Sequence, residues 1–255
     1  MIIDVSDYIN VYKKNKLIER LDIENLKEVL SKYKHKKIYL LLKEELYKNI
    51  DKYINLGKDL NIKRLIIKER SIIETINSNL SISDASGNLV INLYKDSTEI
   101  SLIALNNVIK YDIYKYSYNE LTKVVKDEIK KKLKYDLDIF TCELIYQELY
   151  INNRKYIEVE GHKIRSKKLT KVRIKKTDLN KSLVDYLSKL MKDVKKFLDN
   201  IYPVLKRDIL DTGIIIYSNY LNQSLLDLVG NKNSINIFYI EDNTNMINTY
   251  KGIIN

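Results

Sequence analysis

One order of elements occurs twice along this chain, and that repetition limits the fold more than any other feature of the sequence. Short β-branched runs alternate with amphipathic stretches throughout. The opening reads as strands at Met1–Val5, Tyr8–Lys13 and Lys16–Arg20, a helix at Ile23–Tyr33, a strand at Lys37–Leu42, a helix at Glu44–Gly57, a strand at Lys63–Ile67 and a helix at Glu69–Leu80. The order restarts with strands at Asn88–Leu93, Glu99–Leu105 and Val108–Tyr114 and a helix at Asn119–Leu133. A long helix, Asp178–Leu198, repeats Leu179, Leu183, Leu187, Leu190, Met191, Val194 and Phe197 at helical spacing, with Thr177 as its N-cap. A strand at Gly213–Tyr217, a helix at Leu221–Val229, a strand at Ile235–Ile240 and a short final helix close the chain. The plan β-β-β-α-β-α-β-α thus appears twice, with an insertion from about Asp138 to Lys176 in the second copy. The reading is α/β with a mixed sheet, as two related lobes, 1–84 and 85–255, facing one cleft.

Composition narrows the chemistry. Six glycines and one proline in 255 residues fall far below the usual ~7% and ~5%, so standard phosphate-cradling loops have few places to sit. With one cysteine, Cys142, and two histidines, His35 and His162, neither a disulfide framework nor a Cys/His zinc cluster can be built. Cys142 reads as a packed residue and the histidines as surface residues. No apolar run approaches the ~18 residues of a membrane span, and the expected location is cytoplasmic. Against 34 acidic residues stand 45 Lys and Arg, a net charge of +11 that favours anionic partners.

The most specific residues come late: Asp208-Ile209-Leu210-Asp211-Thr212-Gly213-Ile214-Ile215-Ile216, then Leu226-Asp227, then Tyr239-Ile240-Glu241-Asp242. These resemble the C-terminal part of MreB, the bacterial actin homologue. Upstream, Thr141-Cys142-Glu143 with Glu148 is similar to the RTAERxKxEIG helix of that family, and Ala85–Val90 followed by Ser97-Thr98-Glu99 is similar to its TGSMVVDIGGGTTE strand. The likeness runs from about Ile38 to Asn255. It implies an actin-like fold, a duplicated ribonuclease H-like ATPase fold of two lobes, from which the small subdomain IB between Lys16 and Ile38 is missing.

The resemblance also implies where nucleotide would sit, and there the residues depart from the pattern. The first phosphate hairpin, IDLGTANT in the family, reads Ile3-Asp4-Val5-Ser6-Asp7-Tyr8-Ile9-Asn10. The second, DIGGGTTE, reads Asn92-Leu93-Tyr94-Lys95-Asp96-Ser97-Thr98-Glu99, with asparagine for the metal-organising aspartate and no glycine. The adenosine loop TGGG is Tyr217-Ser218-Asn219-Tyr220, whose tyrosines would occupy the base's space, and GGDE is Ser117-Tyr118-Asn119-Glu120. Where PSGITxVE carries the water-positioning glutamate this chain has Asn49, with Glu45 within a small slip. Asp4, Ser97, Thr98, Glu120, Glu143 and Gly252 are therefore expected to be vestiges of a cofactor site, with no catalytic residue, no metal ligand and no bound cofactor; ATP with magnesium would be the cofactor only if the site still worked.

Two lysine-rich runs remain, Lys126–Lys134 and Lys163–Lys176. The second, in the region matching subdomain IIB, is a solvated strand face or a docking face made of Lys163, Arg165, Lys167, Lys168, Lys171, Arg173, Lys175 and Lys176. The expected function is that of a non-hydrolysing MreB-like module of the bacterial cell-shape or division machinery. Its expected partner is an actin-like paralogue or another shape protein, with peripheral contact to the inner face of the membrane. An active filament ATPase and a DNA-segregating actin-like module, with nucleic acid as partner, are the alternatives.

Overall fold

The computed structural model describes residues 1–13, 16–78 and 80–241. Strands β1 (Ile2–Val5), β2 (Ile9–Lys13) and β3 (Lys16–Leu21) form an antiparallel meander, and β4 (Ile38–Leu42) and β5 (Leu65–Glu69) extend it in parallel, giving the order β3-β2-β1-β4-β5. Every residue of β4, Ile-Tyr-Leu-Leu-Leu, is buried, as an apolar run must be when helices cover both faces of a parallel strand. Its side chains alternate in direction. Ile38, Leu40 and Leu42 pack with Leu26, Val29 and Leu30 of α1 (Leu26–Tyr33) and Tyr53 of α3 (Ile50–Asp59), whereas Tyr39 and Leu41 pack with Ile72 and Ile73 of α4 (Arg70–Asn77).

The helix expected over Glu44–Gly57 is two helices. A short α2 (Glu44–Tyr47) and α3 are separated because Asn49 leaves helical geometry (φ −103°, ψ 37°), a position where asparagine competes poorly for helix. Between β3 and β4 the chain has room for one 3₁₀ turn, Ile23–Asn25, and α1, so the connection where a small subdomain would be inserted is a single helical segment.

The second sheet has the order β13-β12-β6-β7-β8, from β6 (Asn88–Leu93), β7 (Thr98–Ala104), β8 (Asn107–Tyr114), β12 (Ile214–Ser218) and β13 (Ile237–Glu241). Counted from the meander, this is the order of the first sheet, as the repeated plan requires. The three-stranded sheet β11-β10-β9 is built from β9 (Tyr135–Asp136), β10 (Tyr156–Lys163) and β11 (Leu169–Lys175). By compactness the described residues form two units, 1–92 with 99–113, and 93–98 with 114–241; these are interleaved along the sequence, where consecutive spans 1–84 and 85–255 were expected.

In the second unit α5 (Tyr118–Glu128) continues through a π-helical turn, Ile129–Leu133, and α6 (Ile139–Tyr146) through another, Gln147–Ile151. Helix α7 (Lys176–Asp199) buries Leu179, Leu183, Leu187, Leu190, Met191, Val194 and Phe197 on the face its spacing marks. Thr177 is not its cap: the helix starts one residue earlier, and the Asp178 carboxylate accepts the Lys175 N–H at 2.9 Å. Helices α8 (Pro203–Thr212) and α9 (Gln223–Asn233) follow, and α9 starts later than expected because the Asn222 side chain caps it by accepting the Leu225 N–H. Gly213 opens β12 at φ +95°, where a Cβ would meet Phe238 at 2.6 Å. The expected final helix lies outside the described residues.

Candidate functional site

In the first unit charge is buried around β1. Asp4 is 2% exposed and Arg70, the first residue of α4, 1% exposed. The Arg70 Nε–H donates to Asp4 Oδ1 at 3.0 Å, and its Nη1 lies 3.0 Å from Oε1 of Glu74, one turn further along α4. A buried ion pair costs desolvation that only close geometry offsets, so this guanidinium is held rather than available. Asp4 was singled out from the sequence as a vestige of a cofactor site. Arg70 and Glu74 were not, although a charged i,i+4 pair on a helix this apolar was the available signal.

A second acidic pair lies in the same unit. The Glu99 carboxyl accepts the backbone N–H groups of Glu44 and Glu45, both at 3.1 Å, and so caps α2 from another element. Glu44 is itself buried, and its oxygens have no hydrogen-bond partner among the described residues. Burial, and next the Glu44 side chain beside it, push Glu99 up to about 9. Glu45 is exposed and paired with Lys43 at 3.1 Å, and Asn49 is exposed between α2 and α3; the buried acid of this stretch is Glu44, which sequence reasoning passed over. Asn92 is fully buried with neither amide atom partnered among the described residues, which leaves a neutral amide in place of the carboxylate. Among the described residues no group of three His, Cys, Asp or Glu side chains could hold a metal ion.

In the second unit the N-terminus of α5 is satisfied from within. The Tyr118 N–H donates to the Tyr94 carbonyl and the Asn119 N–H to the Lys95 carbonyl, both at 3.0 Å, while the Glu120 N–H donates to Ser117 Oγ at 3.2 Å. A helix N-terminus binds anions through such donors, and here the 94–97 turn and the cap take them. Asp96 accepts from the Asn119 side chain at 2.5 Å, Ser97 contributes its carbonyl to the Tyr94 N–H, and the Thr98 hydroxyl donates to the Tyr116 carbonyl at 2.7 Å. The Glu120 carboxylate is at the surface with Lys123. Gly252 lies outside the described residues.

Aromatic rings fill the same unit. Tyr118 stacks on Tyr220 with centroids 4.4 Å apart, Tyr146 meets Tyr118 edge-on at 5.6 Å, and the Tyr146 hydroxyl donates to the Tyr220 carbonyl at 2.7 Å. Ser218 Oγ donates to the Leu93 carbonyl and accepts the Tyr220 N–H, and Tyr217 is buried in β12. Glu143, on α6, is half-buried, and its charge adds to the burial that raises the Tyr118 hydroxyl. Cys142 is fully buried and its thiol is pushed to about 12 by that burial, so it is protonated at neutral pH and packs as expected.

The basic run separates into two parts. Toward the far end of the β10–β11 hairpin, acids answer bases across the strands. Arg173 pairs with Glu158 at 2.6 Å, and Glu160 stands in register with Lys171. Lys175 is exposed opposite Tyr156. Lys176 belongs to the fold: its Nζ donates to Asn153 Oδ1 at 2.9 Å, it lies over the Tyr150 ring, and burial lowers its pKa. At the tip, Lys163, Arg165, Lys167 and Lys168 are exposed.

A sequence profile of the MreB/Mbl protein family matches residues 51–247. The chain belongs to the MreB/Mbl family. Curated protein sequences give no match. Among solved structures, MreB 5 of Spiroplasma citri bound to AMPPNP superimposes with TM-score 0.78 at 16% identity, over 99% of this chain and 95% of that one. The ADP-bound form of MreB5 from the same organism gives 0.73 at 17%, over 95% and 77%. A non-polymerising mutant of MamK bound to AMPPNP gives 0.63 at 10% identity, over 88% and 71%, and the MamK double helical filament gives 0.62 at 8%, over 91% and 74%. The fold of this MreB/Mbl chain is therefore actin-like. No described helix is long and apolar enough to cross a membrane.

Proposed function

We propose that this MreB/Mbl chain is a pseudo-ATPase: a non-hydrolysing, actin-like binding or filament module that works with a complete actin-like paralogue in the cell-shape or division machinery. The observation that carries the reading is the closed N-terminus of α5, where the first three N–H groups are taken by Tyr94, Lys95 and Ser117. The Tyr118–Tyr220 stack, the neutral Asn92 and the Arg70 guanidinium on Asp4 support it, because each stands where the family resemblance puts a phosphate, a base or a metal. These residues do not fit magnesium nucleotide, and no reaction step is assigned to it. In this reading the protein is cytoplasmic and meets the inner face of the membrane peripherally, and its basic hairpin is the docking face for an acidic partner or an anionic surface.

Thermal unfolding and calorimetric titration with Mg-ATP test the proposal. A ligand present at a hundred times its Kd would add ~2.7 kcal/mol of stability. The expected result is no shift and no heat of binding. A micromolar Kd with one site per chain would overturn it and favour the active filament ATPase.

A further inference from the structure

The meander strands that end the two sheets, β3 and β8, are built differently. β8 closes the order β13-β12-β6-β7-β8, and among the described residues no strand continues the ladder beyond it. An end strand presents a row of backbone N–H and C=O groups to any extended chain that can reach it. On one face of β8 stand Ile109, Tyr111 and Ile113, with Ile109 48% and Ile113 37% exposed. On the other, Val108 packs on the cluster of Tyr39, Leu41, Ile72 and Ile73, and Lys110 and Asp112 are half-buried. The further charge at this strand is the exposed Lys48, whose Nζ lies 4.9 Å from the centre of the Tyr111 ring. β3, by contrast, is guarded. Its register with β2 shifts at Val11–Tyr12, Glu19 pairs with Lys32 at 2.9 Å, and Arg20 donates to Asn10 Oδ1 at 2.7 Å, which are devices that blunt a sheet edge.

We infer that β8 pairs antiparallel with β8 of a second copy of this chain, across a two-fold axis at Tyr111. The residue order selects this occupant. A two-fold axis normal to the sheet keeps every side chain on its own face, so each residue must stand opposite one of like parity. With the axis at Tyr111, Ile109 meets Ile113 and Lys110 meets Asp112, each pair occurring twice. β-Branched and opposite-charge pairs of this kind stabilise a ladder, and like charges directly opposite destabilise it. Moving the axis to Lys110 or to Asp112 sets that charge against its own copy, so the strand specifies its register as well as its partner. β3 offers no such register: an axis at Ile18 sets Lys16 against Arg20, and one at Glu19 sets that carboxylate against its copy. Lys48 and its copy repel across the axis, a cost that salt screens because both are exposed. The contact is the same patch on both subunits, so it closes as a dimer and does not propagate. One strand pair buries less than the ~800 Å² per partner of a stable interface, which makes the dimer weak, with a Kd of about 10–100 μM.

The test is sedimentation equilibrium of the full chain, without nucleotide, over concentrations that span this Kd. A reversible monomer–dimer equilibrium is expected. K110E or D112K alone puts like charges opposite each other at both pairs and should raise Kd about tenfold or more; the two together exchange the charges and should restore the wild-type value. Y111C should be joined to its own copy by a short bismaleimide, whereas I18C on β3 should not, with the wild type, whose Cys142 is fully buried, as the control. A monomer throughout, whether or not an unrelated extended peptide binds along β8, would overturn the assignment. So would a dimer that both single variants leave intact, a double variant no tighter than the singles, or cross-linking at position 18 equal to that at 111. If either charge-reversed chain does not fold, K110Q and D112N carry the comparison, each with about threefold weaker association. No arm involves nucleotide, so failure here leaves the pseudo-ATPase proposal to its own titration.

Discussion

At the scale of single residues, the buried charges make the sharpest claims. Removing one partner of a buried ion pair leaves an uncompensated charge and typically costs about 3–5 kcal/mol, so Arg70→Met is expected to lower stability by that order in urea unfolding. A loss below about 1 kcal/mol would show that the Asp4–Arg70–Glu74 contact is incidental. Glu99 gives a pH dependence with a defined sign. Its folded pKa is raised to about 9 while the unfolded chain titrates near the usual carboxylate value, so between the two the folded state holds a proton that the unfolded state has lost. Stability from this group is greatest at low pH and declines as pH rises toward 9, by at most about 1.4 kcal/mol per unit. Glu99→Gln, which keeps an oxygen for the α2 N–H groups, should flatten that slope across about pH 6 to 8. Parallel slopes for wild type and variant would refute the raised Glu99 pKa.

At the scale of elements, the α5 N-terminus is the part to perturb. Ser117→Ala removes the acceptor of the Glu120 N–H and is expected to cost about 1 kcal/mol, checked by thermal unfolding. Restoring glycine at Tyr94, Lys95 and Asp96 together should not confer Mg-ATP binding, because the backbone carbonyls that occupy the α5 donors do not depend on those side chains; a micromolar affinity in the triple variant would show that the side chains alone closed the site. Strand and helix boundaries were largely legible at this scale. β4 is an unbroken apolar run, and α7 shows its buried stripe in the spacing of its leucines. The legible features are local: each follows from a period of 2 or 3.6 in neighbouring residues. What failed to show was equally local in the chain. Thr177 is a good capping residue by type, yet the helix begins before it, and Asn49 breaks a pattern that reads as one continuous helix.

At the scale of the whole molecule, assembly is the open property. Actin-like protofilaments, as the family resemblance implies, use IB as well as IIB surfaces, and between β3 and β4 this chain has only one helical segment. A homopolymer would bury less surface, and a charge of +11 per subunit opposes stacking at low salt. The expected outcome is a monomer or short oligomer alone, joining the end or side of a complete actin-like paralogue when one is present. Electron microscopy of the purified chain at low and moderate salt, without nucleotide, checks this; long regular filaments would favour a nucleotide-independent structural polymer.

The amino-acid order by itself determined the repeated β-β-β-α-β-α-β-α plan, the family, the scarcity of glycine and the positions of the basic runs, since each is written in adjacent residues. Tertiary structure alone decided which groups those residues meet. Arg70 reaches Asp4 across 66 positions and Glu99 caps a helix 54 positions before it, contacts that no local period encodes. Two bases of the basic hairpin, Lys171 and Arg173, proved to face acids across the strands, while its tip was joined to a second lysine run through one backbone hydrogen bond, because strand register and turn geometry, not sequence distance, set which charges stand together.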